Sequence, residues 1–399
     1  MNAEPLPSPL RWGRLMTEGE RAEAPGIVPL PKPDRQLGAA AANEVKFCTK
    51  LGIGGKLPSV AMFTAMHCSS SLNVLTFSRD GSTSAIGLAD STIHVFDAEN
   101  RFSSRSLHGH SSSVFGLSFS PSARILASSS SDSNICLWGC DAATGSGPLA
   151  FLKGHVGAVW DICFAPRGNY IASCGRDRTA RVWSTDRAAP LRILPGHVTD
   201  VDTVRWHPNC NYVATGGGDK SIRLWDVQSG ETVRLMTGHN GSVTSLAFSP
   251  DGLTLASGSD TGAVLLWDLR SGKRVATTQQ HKGPVWSLDF DAGEGGILAS
   301  GAADCSVRLW NVPTMGSTDN SAGDGHGAKA NGPNEHNHID DVPDDAGLPP
   351  KPTTTTTGPL PFQPSLLKVL YTKSTPCIAL QFTKRNLLLA GGACSLGMS

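Results

Sequence analysis

Net charge is missing from this sequence: 34 Lys and Arg balance 34 Asp and Glu. A chain without a global field has no long-range pull toward nucleic acid or an acidic membrane surface. Long apolar runs are missing too. None approaches the roughly 18 residues that a membrane-spanning helix needs, and residues 1–20 contain no apolar signal core, so the expectation is an intracellular protein with no membrane role. Ten cysteines are present, but no two are spaced Cys-x-x-Cys, which removes the commonest zinc and redox signatures. Cys136, Cys163, Cys174 and Cys305 fall inside strand-like patterns and read as free thiols of a reducing compartment. Tyrosine is nearly absent, at 3 residues against 44 glycines. A turn-rich chain with few helical runs is expected to be all-β.

What the chain has in abundance is self-similarity. His110, His155, His197, His239 and His281 recur at intervals of 45, 42, 42 and 42 residues, the first four preceded by Gly and the last by Gln280. An aromatic residue marks each repeat's end at Phe96, Trp138, Trp183, Trp225, Trp267 and Trp310, and Asp follows Trp225 and Trp267. Within one repeat, VWDICFAP, YIASCG, TARVWST and PLRILPGH are short β-rich segments separated by turn residues such as Arg167-Gly168. Six such repeats run from about Leu72 to about Thr372, and the tail CIALQFTKRNLLLAGGA supplies the first two strands of a seventh. Closing the ring removes exposed sheet edges, and Val60 to Met66 is the segment placed to pair with the C-terminal strands.

Two stretches lack the period. Residues 1–56 are rich in Pro, Ala and Gly, and residues 313–364 run through Gly, Asn, Asp, Pro and the threonines Thr353 to Thr357. Both are expected to be largely disordered. The second falls between the third and fourth strands of blade six, as a loop insertion within one unit spanning 57–399.

The period of 42 to 45 residues with Gly-His and Trp-Asp marks resembles the WD40 family, in which each repeat contributes the four strands of a propeller blade. The resemblance implies an all-β, seven-bladed WD40 β-propeller. It also gives meaning to a second pattern. His110, Ser128, Asp132 and Trp138 in blade two recur as His155, Ser173, Asp177 and Trp183, as His197, Thr215, Asp219 and Trp225, and as His281, Ser300, Asp304 and Trp310. Blade five offers His239, Ser257, Asp260 and Trp267, with Asp260 displaced by one and Thr261 standing where Asp belongs. A Ser-His-Asp triad occurs once per active site and needs an oxyanion hole and a cleft, so repetition argues against catalysis. In WD40 proteins these residues form a hydrogen-bonded chain, and the resemblance implies the same here: Asp in a tight turn holds His, His meets the hydroxyl, and the hydroxyl meets the Trp ring nitrogen. Blade one has Ile86 and Phe96 at the hydroxyl and Trp positions and lacks Gly-His, so blades one and seven are expected to be the least firmly tied.

Other motifs carry no chemistry. Gly216 to Ser221 lacks the spacing of a phosphate loop and has no helix after it, so it reads as a β-turn, and Gly52 to Gly55 has no strand-turn-helix context. No enzyme motif, metal site, cofactor or small-molecule substrate is expected. Partners of WD40 propellers dock on the narrow top face, beside the first Val of each inner strand and before the turn Asp. Carried over, those positions are Phe115, Trp160, Asp202, Thr244 and Trp286, with Arg176 preceding Asp177. Two Trp, a Phe and an Arg on one rim have the composition of a binding hot spot.

Several segments resemble a narrower group, the WD-repeat TATA-binding-protein-associated factors at the core of TFIID. They are GHVTDVDTVRWHPNCNYVATGGGDKSIRLWDV, ADSTIHVF, PLRILPGH, KLPSVAMFTAM and the tail YTKSTPCIALQFTKRNLLLAGGA. The resemblance implies a nuclear scaffold packed against other TFIID subunits, including histone-fold factors, with TATA-binding protein reached indirectly, and in some lineages a place in a histone-acetyltransferase coactivator complex. A competing function is a substrate receptor of a cullin-type ubiquitin ligase, because Trp267-Asp268-Leu269-Arg270 matches the Trp-Asp-x-Arg motif of such propellers.

Overall fold

The computed structural model describes residues 57–65, 70–97, 103–140, 145–291, 296–312, 364–372, 375–383 and 387–393. The expectations for 1–56 and for nearly all of 313–364 lie outside them. Among the described residues every regular element is a strand, and the strands form six four-stranded sheets and one three-stranded sheet, the blades of a seven-bladed β-propeller.

Blade three shows how the sequence builds each unit. Its strands a to d are Val159–Phe164, Tyr170–Gly175, Thr179–Ser184 and Arg192–Pro195, paired as an antiparallel meander. Strands b and c are buried along almost their whole length, whereas d alternates between covered and exposed residues. The difference follows from position: the two central strands are covered by a neighbouring blade on each face, and the outermost meets solvent on one. The fit between blades is tight enough to require glycine. A Cβ on Gly216 would lie 2.5 Å from Val243 Cγ1 of the next blade, and one on Gly258 would lie 2.8 Å from Val285 Cγ1. Small residues at these strand-b positions thus receive the first valine of the next inner strand, which gives the taper of the ring.

That valine also sets the rim. In each of blades one to six the pairing of strands a and b skips one residue immediately after the first position, as between Val159 and Asp161 or between Val285 and Ser287. The skipped residues are Asn73, Phe115, Trp160, Asp202, Thr244 and Trp286. A β-bulge leaves its extra residue out of the ladder and re-aims the side chain, so one residue per blade is freed for the top of the propeller.

The ring closes with Ser59–Ala65 laid on Leu387–Ala393, which in turn pairs with Ala379–Phe382. The first pairing is parallel, unlike every other strand pairing among the described residues. In a meander the second and fourth strands run the same way, so the N-terminal strand has a fourth strand's direction while lying directly on the second. Phe77, Leu389 and the partly buried Leu75 and Ala61 fill this junction, with Phe63 packed 5.5 Å from Phe77 between ring centroids. One expectation needs correction: Cys305 is not in a strand but in the b–c turn of blade six, at φ 58°. Ser133, Arg178 and Lys220 occupy the same place, each just after the turn Asp and each left-handed. The tight turn demands that conformation, and a β-rich neighbourhood in sequence conceals it.

Candidate functional site

The b–c turns and the loops between blades bring the His, hydroxyl, Asp and Trp residues together. In blade three the Trp183 ring N–H donates to Ser173 Oγ (2.8 Å), Ser173 Oγ meets His155 Nε2 (2.7 Å), and His155 Nδ1 meets Asp177 Oδ2 (2.8 Å). Blades two, four and six repeat this, with His110, His197 and His281 at 2.9, 2.9 and 3.1 Å from Asp132, Asp219 and Asp304. Each carboxylate also accepts the amide after the histidine (Ser111, Val156, Val198, Lys282) and the amide two residues beyond itself (Asn134, Thr179, Ser221, Ser306). Only a turn with a left-handed residue after the Asp folds those amides onto one side chain.

The electrostatics suit a structural network. Burial pushes the His110, His155, His197 and His281 rings below the ordinary histidine value, the facing carboxylates only partly reversing it, so the rings are neutral at pH 7. Burial works against the ionised form of Asp132, but the Ser111 and Asn134 amides and His110 outweigh it and hold the carboxyl below the usual range. In this arrangement the Ser hydroxyl gives its proton to His and accepts from Trp, which occupies both of its functions.

Blade five departs from the set. His239 Nε2 meets Ser257 Oγ at 2.6 Å and Trp267 donates to it at 2.8 Å, but His239 Nδ1 has no hydrogen-bond partner. Asp260 does not complete this chain, contrary to the expectation. The turn positions explain why. Gly262 at φ 82° matches the left-handed residue of the other blades, so Thr261 holds the Asp position, its hydroxyl bonded to Ser259 (2.8 Å), while Asp260 lies over Gly241. With no hydrogen-bonded carboxylate to oppose it, burial lowers the His239 pKa to about 4.

The bulge residues line the top. Phe115 and Trp160 form an edge-to-face pair with centroids 4.9 Å apart, and Trp160 donates its ring N–H to Asp200 (3.3 Å). Trp286 is 42% exposed, the open presentation of a contact residue rather than a core one. Arg176 is exposed beside an open depression of about 530 Å³ lined by Val156, Gly157, Arg176, Asp177 and Arg178. Burial, and then Asp200, Asp219 and Asp260, push the Asp202 carboxyl up to about 6. Thr244 and Asn73 instead tie their blades to the next: the Thr244 hydroxyl donates to Val285 O (2.6 Å) and Asn73 Nδ2 donates to Val114 O (3.1 Å).

Sequence reasoning missed one class of residue, the polar side chains of the inner strands that clasp the next blade. Asp161 accepts the Val204 amide (3.0 Å), the Thr203 hydroxyl (3.1 Å) and Arg205 (2.6 Å). Asp289 accepts the Phe382 amide (2.6 Å) and Ser287 the Leu380 amide (2.9 Å), joining blade six to blade seven. Burial pushes the Asp289 carboxyl up to about 7. A polar residue two or four places after the first Val of strand a was the available signal.

Comparison with known proteins follows the same repeats. The family described as WD domain, G-beta repeat matches residues 102–139, 146–184, 188–226, 230–268 and 272–311. The chain is 36% identical over 157 residues, 35% of its own length, to the Schizosaccharomyces pombe "SAGA complex/transcription factor TFIID complex subunit Taf5". It is 41% identical over 106 residues, 21% of its length, to the Arabidopsis thaliana "Transcription initiation factor TFIID subunit 5", and 29% identical over 130 residues, 31% of its length, to the Oryza sativa "Protein TOPLESS-RELATED PROTEIN 2". The matches span 24%, 16% and 11% of those relatives.

Proposed function

The chain carries WD40 repeats folded into a seven-bladed β-propeller, and from that premise we propose that it is a non-catalytic protein-interaction scaffold of the nuclear transcription machinery, a subunit of a TFIID-type assembly. The observation that carries the reading is the rim: the bulge of each inner strand frees one side chain, and in blades two, three and six that side chain is Phe115, Trp160 and Trp286. Large aromatics fixed by a rigid sheet anchor a partner at low entropic cost. The hydroxyls paired with a histidine, those of Ser128, Ser173, Thr215, Ser257 and Ser300, are held inside the buried chains of hydrogen bonds described above.

The TFIID assignment draws on the relatives whose names include that complex, one of them also naming SAGA. Residues 57–399 are the unit proposed to do the work, with histone-fold subunits as direct partners and TATA-binding protein as an indirect one. No direct contact with nucleic acid or membrane is part of the reading, nor is any cofactor or small-molecule substrate.

Affinity purification of the tagged chain from nuclear extract, with mass spectrometry of co-purifying proteins, tests the assignment. Recovery of histone-fold factors and TATA-binding protein is expected. A cullin and its adaptor without them would sink it and favour a ubiquitin-ligase receptor acting through exposed Arg270. The rim is tested separately by the double substitution Trp160→Ala with Trp286→Ala, which should weaken partner capture by at least about tenfold.

A further inference from the structure

Blade seven has three strands among the described residues where every other blade has four, and Ser59–Ala65 is the outermost of them, with no described strand on its far edge. It lies in the place of a third strand, which elsewhere is covered: Asn134–Gly139, Thr179–Ser184 and Ser221–Asp226 are buried along nearly all their length. Met62 and Phe63 are instead 44% and 43% exposed, although Phe63 packs on Phe77 of blade one.

The neighbouring blade gives a second, independent observation. Leu370, opposite Val307, corresponds in register to Leu107, Leu152, Leu194 and Met236, which lie opposite Ile93, Ile135, Ala180 and Ile222. Those four are at most 1% exposed and pack on the inner strand of the next blade, as Leu194 does beside Val201 and Val204. Leu370 turns to blade seven in the same way, beside Leu380 and Val60, yet it is only partly buried. The four buried residues each meet a four-stranded neighbour, and Leu370 meets three strands. An apolar edge with open side chains on both flanks is a template for one more strand.

The sequence that leads into Ser59 suits that place. In Glu44-Val45-Lys46-Phe47-Cys48-Thr49-Lys50-Leu51, Val, Phe, Thr and Leu alternate with Glu, Lys, Cys and Lys, the pattern of a strand covered on one face. Gly52, Gly54 and Gly55 follow, residues that let a chain reverse before Ser59. The insertion before Ser365 is broken by Gly and Pro. Residues 394–399 would have to cross the outside of Ser59–Ala65 and then run back along it, and at roughly 3.3 Å per residue they are too few to do both.

We propose that residues 44–51 are the fourth strand of blade seven, laid antiparallel on the free edge of Ser59–Ala65 as the other arm of a hairpin. The inference is independent of the rim reading. The fourth strands of the other blades turn their buried residue to the next blade, and for blade seven that is blade one, which Ala61 and Phe63 already face. Val45, Phe47, Thr49 and Leu51 lie on that side, with Phe47 over the open part of Phe63. Lys46, Cys48 and Lys50 lie on the side of Val60 and Met62, where the lysine stems reach over Leu370. Because the link is covalent, the segment is concentrated at the edge and withholds it from the strands of other molecules.

Cys48 supplies the test. In the full chain carrying Met62→Cys, mild oxidation should join the new thiol to Cys48 within one molecule, because the two side chains share a face. In Phe63→Cys that bond should form at least about tenfold more slowly, because the side chains point to opposite faces. Peptide mapping identifies the pair, and non-reducing gels separate bonds within a chain from bonds between chains. In the unsubstituted chain the amides of 44–51 should exchange with deuterium at least about tenfold more slowly than in Phe47→Pro, with the amides of blades two to five unchanged as the control on folding. Both results are required. Equal coupling at the two positions, a faster bond in Phe63→Cys, or exchange of 44–51 that Phe47→Pro leaves unaffected overturns the proposal. A bond between chains overturns it in favour of a second copy on the edge, and protection of 59–65 with none of 44–51 overturns it in favour of a strand from elsewhere.

Discussion

Blades four and five carry equally complete repeat marks, Gly-His at one end and Trp-Asp at the other, yet their interiors differ by one group. In blade four Asp219 closes the chain on His197 at 2.9 Å and gathers the Val198 and Ser221 amides. In blade five the chain stops at a histidine whose outer nitrogen bonds to nothing. Both histidines are buried to the same degree, at 6% and 7% exposure. A blade therefore tolerates losing its carboxylate provided that the Trp, hydroxyl and His remain, because packing against its neighbours supplies most of its stability. What the carboxylate adds is a fixed turn and a satisfied donor.

The largest expected effect that separates the two blades is the loss of Asp219. Asp219→Ala leaves the His197 ring N–H and the Val198 and Ser221 amides without their acceptor, and should cost about 3 kcal/mol at one to a few per buried group. Thr261→Ala removes only the bond from exposed Thr261 to Ser259, whose hydroxyl keeps Ala263 O as a partner, and should cost under about 0.5 kcal/mol. Chemical denaturation of the two variants beside the wild type measures both. If the costs come out equal, the carboxylate chain does not distinguish the blades.

The seven-bladed fold was legible in the sequence because 42-residue spacing survives every substitution that packing allows. The closed sets of four blades follow from fixed steps: 18 residues from His to the hydroxyl and 10 from the hydroxyl to Trp in blades two, three and four. Asp260 misled because an acid one place early still looks like the missing partner, whereas a one-residue shift in a turn moves its carboxylate over Gly241 instead. The clasps made by Asp161 and Asp289 were illegible for another reason. Their acceptors meet backbone amides 43 and 93 residues away, and an amide has no sequence signature. The parallel seating of Ser59–Ala65 was hidden likewise: its short apolar run fits a strand and does not say which way the strand runs.

Acid should separate the blades next. His239 has its pKa lowered from 6.5 to about 4, so below pH 6.5 the unfolded chain takes up a proton that the folded chain refuses, and stability falls as pH falls toward 4. Between pH 7 and pH 5 this amounts to about 2 kcal/mol. Asp289, raised from 3.8 to about 7, works in the opposite sense, binding a proton first in the folded state and stabilising it on acidification. The effect is therefore read as a difference: His239→Gln should flatten the acid-side loss of stability relative to wild type more than His197→Gln does, because Asp219 raises the His197 pKa back toward its ordinary value. Melting curves at pH 7 and pH 5 decide this, and identical slopes for the two variants would mean that the Asp260 field protects His239 as well as a bonded carboxylate would.

The smallest effect is the most specific. Placing the acid one residue later, with Asp260→Gly and Thr261→Asp together, gives blade five the turn of blade four, where Gly218 precedes Asp219. Gly262 already supplies the left-handed conformation that the turn requires, so no backbone strain opposes the change. A carboxylate at 261 should accept from His239 Nδ1 and, as in the other blades, from the amide after the histidine, for a gain of about 1 kcal/mol. Two readouts must move together: a higher denaturation midpoint and a His239 pKa raised from about 4 toward that of His197, followed by ring resonances against pH. A rise in pKa without added stability would show that the new contact only offsets the entropy of ordering the turn. Neither change would show that the one-residue displacement is not what opens blade five.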